Sequence, residues 1–288
     1  MDFRSVIEKN RESYLDELFE VLRQKSISAK NDGIRECAEL MMDKLKGAGI
    51  SHVELMETEI HPVVYGEHHV SDDAPTILIY GHYDVQPPDP IEEWHSPPFE
   101  PTIRDGRIYA RGAGDNKGQI MAQIMAIRTY LEAEAELPVN VKFLIEGEEE
   151  IGSVNLDSFV AQHREKLEAD LVYTSDGPML PDGHPYVLLG VRGMMYLEME
   201  AREADFDNHS GNKGNIVPNP AWKLMDLLRT MRNENGKILI EGFYDTVKAP
   251  TEHEMELIEK LPFDLEEVRR NVGHAGIEMT KAEYYRKL

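Results

Sequence analysis

One cysteine, Cys37, stands in the whole 288-residue chain. A lone thiol excludes an internal disulfide and cannot build a cysteine-rich metal site. No apolar run comes near the length that crosses a bilayer. The opening residues, Met1 to Lys9, are mixed-charge and helix-like, without the uninterrupted apolar core of a leader. Positive charge is scarce: 31 basic residues face 54 acidic ones, a net −23, which repels phosphate backbones and anionic lipid. Nucleic acid and membrane are therefore not expected partners, and a cytoplasmic protein is the expectation. No internal repeat or low-complexity segment is present. What remains, 41% hydrophobic and 30% charged, is the composition of a globular protein.

Apolar residues recur at helical spacing through Tyr14, Leu15, Leu18, Phe19, Val21 and Leu22, and again from Ile34 to Leu45. Strand-like pieces follow at Ser51–Met56, Thr76–Tyr80, Val139–Ile145 and Leu171–Thr174. A helix is predicted over Lys117–Ala133, burying Ile120, Met121, Ile124, Met125, Ile127 and Leu131. Short apolar strands alternating with helices specify an α/β fold, a three-layer domain on a mostly parallel sheet. After Gly190 the pattern changes: Met194–Ala201 alternates like a half-exposed strand and Asn219–Arg232 reads as a helix. A boundary is expected at Gly190–Gly193, dividing a domain over residues 1–190 from a smaller α+β domain over 191–288.

In α/β sheets, ligand-binding groups gather beyond the carboxyl ends of the strands. Four segments fit that rule: Gly81-His82-Tyr83-Asp84, Asp115-Asn116-Lys117-Gly118, Glu146-Gly147-Glu148-Glu149-Glu150 and Ser175-Asp176-Gly177. Each taken alone has a plain structural reading. His82 reads as an ordinary histidine at a strand end and Glu148–Glu150 as a solvated acidic loop; Asp115 and Asp176 read as turn or cap residues. Together they offer imidazole and carboxylate oxygen, a donor set that suits zinc, manganese or cobalt. Carboxylates crowded so closely repel one another unless cations neutralise them.

These segments, with Trp94, Pro98-Phe99 and Arg111-Gly112-Ala113-Gly114 between them, resemble in order and content the two-zinc peptidase family of carnosinases, glutamate carboxypeptidases, aminoacylases and diaminopimelate desuccinylases. The form Tyr83-Asp84-Val85-Gln86-Pro87 is most similar to the carnosinase and cytosolic nonspecific dipeptidase branch, and the resemblance covers roughly residues 10 to 288. It implies two Zn2+ ions, with Mn2+ or Co2+ as substitutes. One ion is held by His82 and Asp176 and the other by Glu150, with Asp115 bridging both and a cis peptide following it. Glu149 is implied as the general base that takes the proton of the attacking water, and Asp84 as the carboxylate that fixes the His82 ring. With three glutamates in a row, Glu148 and Glu149 remain exchangeable in these roles, although Ile151-Gly152-Ser153 downstream favours Glu149.

The later part resembles the family's inserted lid, through which a homodimer forms. Asn208-His209-Ser210-Gly211 matches the motif whose histidine enters the partner subunit's site to stabilise the oxyanion. The substrates implied are dipeptides or short peptides. Hydrolysis of N-acyl amino acids by the same chemistry is the alternative, a non-catalytic metal-binding fragment a second, and a two-metal phosphatase or nuclease a distant one. Members of the family run substantially further, so by resemblance residue 288 falls inside the lid and the last zinc-ligating histidine lies beyond it. His274, flanked by Gly273 and Gly276, is the one late histidine in a glycine-rich setting, but it lies where lid sequence is expected. The expectation is a chain that binds one metal well and hydrolyses peptides poorly or not at all.

Overall fold

The computed structural model describes residues 2–133, 137–177, 179 and 193–287. Two compact units make up the chain, Met1–Tyr186 and Val187–Leu288. Gly190, Val191 and Arg192, where the sequence places a boundary, lie outside the described residues.

The first unit opens with α1 (Phe3–Arg23), whose N-terminus is capped by the Asp2 carboxylate accepting from the Ser5 N–H. Next comes α2 (Ile34–Gly47), which starts at Gly33 with φ +73°; a side chain there would run into the Lys25 carbonyl. The strands β1 (His52–Met56), β2 (Val63–His68) and β3 (Thr76–His82) follow, then a small hairpin of β4 (Thr102–Arg104) and β5 (Arg107–Tyr109). The chain continues through α3 (Lys117–Glu132), β6 (Asn140–Glu146), α4 (Leu156–Gln162) and β7 (Leu171–Thr174).

The five-stranded sheet has the order β1-β2-β6-β3-β7. β2 pairs antiparallel with both β1 and β6, while β3 pairs parallel with β6 and β7. Only β2 is therefore reversed, and four of the five strands run the same way. Side chains alternate between the faces with a period of two. Val64, Ile79, Val141, Phe143 and Ile145 pack into one core with Val21 of α1, Met41 and Leu45 of α2, and Ile120, Met121 and Ile124 of α3. Val63, Tyr65, Leu78 and Leu144 face the other way, onto Phe159 of α4 and Leu167. Helices on both faces make the three layers predicted from the sequence. The register His82↔Glu146 brings the carboxyl ends of β3 and β6 level, and β7 ends beside β3.

In the second unit, helices are α5 (Ser210–Lys213), α6 (Pro220–Met231), α7 (Glu252–Lys260), α8 (Leu265–Asn271) and α9 (Lys281–Tyr285). α6 matches the predicted helix, with Asn219 capping it and Pro220 in its first turn. α7 and α9 each carry a capping box, Thr251 with Glu254 and Thr280 with Glu283. The strand predicted over Met194–Ala201 is not formed. Those residues lack regular structure, and Met194 and Tyr196 are 93% and 85% exposed. A strand needs a neighbour for its N–H and C=O groups, and none of the described residues pairs with this segment.

Candidate metal centre

His82 is the residue around which the site is built. It ends β3 and is fully buried. Its Nε2 lies 3.1 Å from Asp115 Oδ1, 3.4 Å from Asp176 Oδ2 and 3.9 Å from Glu149 Oε2. The Nδ1 donates to the Asp84 carbonyl at 3.1 Å and lies 3.3 Å from Asp84 Oδ1. Four loops thus converge on one imidazole: those after β3, before α3, after β6 and after β7. The peptide bond Asp115–Asn116 is cis, as the resemblance implies.

Two triads have ligand atoms within 4.8 Å of one another, His82 with Glu149 and Asp176, and His82 with Asp115 and Glu150. The electrostatics are those of a place where cations belong. Burial alone would lower the His82 pKa, but contacts with Asp115, Asp176 and Asp84 outweigh it and push it up to about 12. Hydrogen bonding from His82 in turn holds Asp115 below the usual carboxylate range. Glu149 and Glu150 are raised, chiefly by burial, with neighbouring carboxylates adding to the rise in each. Asp84 Oδ1 is buried without a well-directed hydrogen bond. Five carboxylates, Asp84, Asp115, Glu149, Glu150 and Asp176, crowd about the His82 imidazole, with the Arg111 charge acting on Asp115 and the Lys117 charge on Asp84. A donor set of hard oxygens and imidazole with excess negative charge fits divalent metal ions.

The three consecutive glutamates part company here. Glu148 is 2% exposed and turned into the protein. It accepts from the backbone N–H groups of His61 and Asn155, each at 3.0 Å, from Asn155 Nδ2 at 2.9 Å and from Thr58 Oγ1 at 3.0 Å. Glu149 instead faces His82. Glu150 receives the Gln86 N–H on Oε1 at 3.2 Å, and its carbonyl receives Gln86 Nε2 at 2.8 Å. Glu146, at the end of β6, is buried and accepts from Tyr80 Oη at 2.6 Å and Ser153 Oγ at 2.8 Å.

Supporting contacts explain the motif residues that carry no ligand atom. The Lys117 ammonium is buried and donates to the Val21 and Gln24 carbonyls at the C-terminal end of α1, at 3.2 and 2.6 Å. Those carbonyls have no partner within the helix and lie at the negative end of its dipole. Arg111 stacks over Trp94 at 5.3 Å and donates to the Pro87 carbonyl at 3.1 Å, and Trp94 Nε1 donates to the Pro88 carbonyl at 2.8 Å. The Pro-rich loop after Asp84 is thereby held by its own Trp94 and by Arg111 from the segment after β5. The sequence leaves Glu148 exchangeable with Glu149 and assigns no task to Gln86, Asn116 or Gln119, whose contacts with Glu150, His82 and Gly177 join segments distant in the chain.

His209 and His274 belong to the second unit. Each is exposed, with Nδ1 accepting an N–H two residues on, from Gly211 and from Gly276, both at 3.0 Å.

The fold gathers this cluster, a candidate metal centre, at the carboxyl ends of a largely parallel sheet. Residues 78–278, well over half of the chain, match the profile described as Peptidase family M20/M25/M40, and the chain belongs to that family. The mouse Beta-Ala-His dipeptidase is 36% identical over 240 residues, which is 79% of this chain and 49% of that protein. A Cys-Gly metallodipeptidase of Candida albicans is 30% identical over 287 residues, 93% of this chain and 59% of the other. Among solved structures, a family M20 metallo-carboxypeptidase of Sulfolobus solfataricus superposes with a TM-score of 0.81 at 42% identity, over 94% of this chain and 62% of that one. The chain spans about half the length of the mouse relative and three-fifths of the yeast one.

Proposed function

We propose that this chain carries the metal centre of a peptidase that hydrolyses dipeptides or short peptides with zinc. The observation that carries the reading is the buried imidazole of His82, within 4 Å of carboxylates from three other loops. Relatives whose names specify dipeptide and metallodipeptidase activity support the substrate class.

In this reading His82, Asp115, Glu150 and Asp176 would hold the metal ions. When bound, the ions supply Lewis acidity, which polarises the scissile carbonyl and acidifies water. Glu149 takes the proton of the attacking water and returns it to the leaving amine nitrogen, which an amide cannot expel unprotonated. A carboxylate whose proton affinity is raised by burial suits a base working near neutrality. Asp84 orients the His82 ring and increases its basicity. The same reading takes residues 1–190 as the catalytic domain and 191–288 as a lid through which a homodimer forms, with His209 serving the partner's oxyanion. That reading also places the protein in the cytoplasm. Among the described residues no helix is long and apolar enough to cross a membrane.

The test is release of free amino acids from a panel of dipeptides, run beside N-acetyl amino acids, with zinc and with a chelator. Zinc-dependent cleavage of dipeptides supports the proposal. Cleavage confined to N-acetyl amino acids, or cleavage indifferent to chelation, overturns it.

A further inference from the structure

We propose that Asn116 and Gln119 are positioning residues, a pair of carboxamides that locks the loops of His82, Asp115 and Asp176 into one register; this rests on the reading of that cluster as a metal centre. The backbone N–H of His82 donates to Asn116 Oδ1 at 3.2 Å. Asn116 Nδ2 donates to Gln119 Oε1 at 3.2 Å, and Gln119 Nε2 donates to the Gly177 carbonyl at 3.3 Å. One turn further along α3, Gln123 donates to Ser175 Oγ. The relay therefore starts at His82, passes through the neighbour of Asp115, and ends at the neighbour of Asp176.

Its polarity is fixed at both ends by groups with no choice of role. The His82 N–H can only donate and the Gly177 carbonyl can only accept. Asn116 must then present its oxygen to β3 and its NH2 to Gln119, which must present its NH2 to Gly177. A carboxylate at either position breaks a link however the other amide turns. Asn116 is 1% exposed, so water does not replace the lost partner. Gly81 belongs to the same arrangement: a Cβ there would come within 2.6 Å of Asn116 Oδ1.

The ligand candidates need this support. The Asp115 side chain is 62% exposed, and its described carboxylate contact is to His82 itself. Its position is thus set by the backbone that Asn116 anchors. Asp176 likewise depends on the turn 175–177, which Gln119 and Gln123 hold from α3.

The experiment titrates Zn2+ and Co2+ into the purified full chain and into the variants Gln119→Met, Asn116→Asp and the double variant. Metal affinity, the Co2+ absorption spectrum and the unfolding midpoint in chelator are read for each. Each single variant is expected to lose about 10- to 100-fold in metal affinity, the range typical of groups that orient ligands. Its Co2+ spectrum is expected to shift. Because the bonds form one chain, the double variant should cost no more than the worse single one. Gln119 is half-buried at the helix surface, so Gln119→Met retains the fold even where Asn116→Asp does not. Unchanged affinity and spectrum in Gln119→Met, or additive losses in the double variant, overturn the relay while leaving the metal centre standing. A native chain that binds neither ion overturns both.

Discussion

The backbone N–H of Glu150 donates to Asp84 Oδ2 across 3.1 Å, tying the acidic turn after β6 to the loop after β3. The other Asp84 oxygen lies 3.3 Å from His82 Nδ1, and the carboxylate is fully buried. One side chain thus sets the distance between two ligand candidates on different strands. Asp84→Ala is predicted to lower zinc affinity about 10- to 100-fold. It should also cost about 1–3 kcal/mol of stability, because the Glu150 N–H is left unpaired. Calorimetric zinc titration and urea unfolding check the two effects separately; zinc affinity within twofold of the native value contradicts the role.

Glu148 and Glu149 should fail in opposite ways. Glu149→Gln is expected to reduce peptide hydrolysis by about 10²- to 10⁴-fold, the usual contribution of a general base, with the unfolding midpoint little changed. Glu148→Gln places an NH2 among donors from His61, Asn155 and Thr58 and should destabilise the fold by about 1–3 kcal/mol. Unfolding curves and turnover measured on both variants decide the matter. A Glu149→Gln variant that hydrolyses at the native rate contradicts the assignment.

Acid should expose Glu148 further. Burial would raise its pKa, but hydrogen bonds from Asn155, His61 and Thr58 outweigh burial and hold it below the ordinary value of 4.5. A carboxylate depressed in the folded state contributes its stability in full above the unfolded value and loses it as pH falls through the folded one. The stability gap between the native chain and Glu148→Gln is therefore predicted to be constant near neutrality and to shrink below about pH 4.5. Urea midpoints across an acid series measure it; a gap that widens in acid contradicts the account.

Gly147 has no room for a side chain. A Cβ there would collide with the hydroxyl of Tyr83, a fully buried ring whose Oη donates to the Pro62 carbonyl at 2.7 Å. Tyr83 sits between His82 and Asp84, so displacing it moves the site. Gly147→Ala is predicted to cost about 1–3 kcal/mol, as overpacking does, and to weaken zinc binding in parallel. Loss of stability with native zinc affinity would separate Tyr83 from the site.

Much of the fold was legible because hydrophobic period and turn chemistry agreed. α3 spans Lys117–Glu132 where Lys117–Ala133 was predicted, and β7 covers the predicted Leu171–Thr174. β2 was not foreseen: Val63–His68 is short and carries Gly66 in its interior, which weakens a strand pattern. Met194–Ala201 erred the other way, since alternation signals a strand only where a neighbour completes its hydrogen bonds. At the site, chemistry-bearing residue types in loops beyond the strands pointed to His82, Asp115, the run Glu148–Glu150 and Asp176, and the family resemblance implied the separate roles of Glu149 and Glu150. The separation of Glu148 from Glu149 was not readable with certainty from three identical residues, because it depends on which way the turn faces. Asn116 and Gln119 were hidden for a related reason: their partners are backbone groups, which sequence pattern does not identify.

Titration of Zn2+ into the metal-free chain, beside His82→Ala and Asp176→Asn, tests the central claim most directly. The native chain is predicted to bind zinc, and at free zinc of about 100 times the measured Kd its stability should rise by about 2.7 kcal/mol. His82→Ala and Asp176→Asn should each lose both the binding and that gain. Equal zinc binding in all three proteins would show that the His82 cluster is not the metal centre.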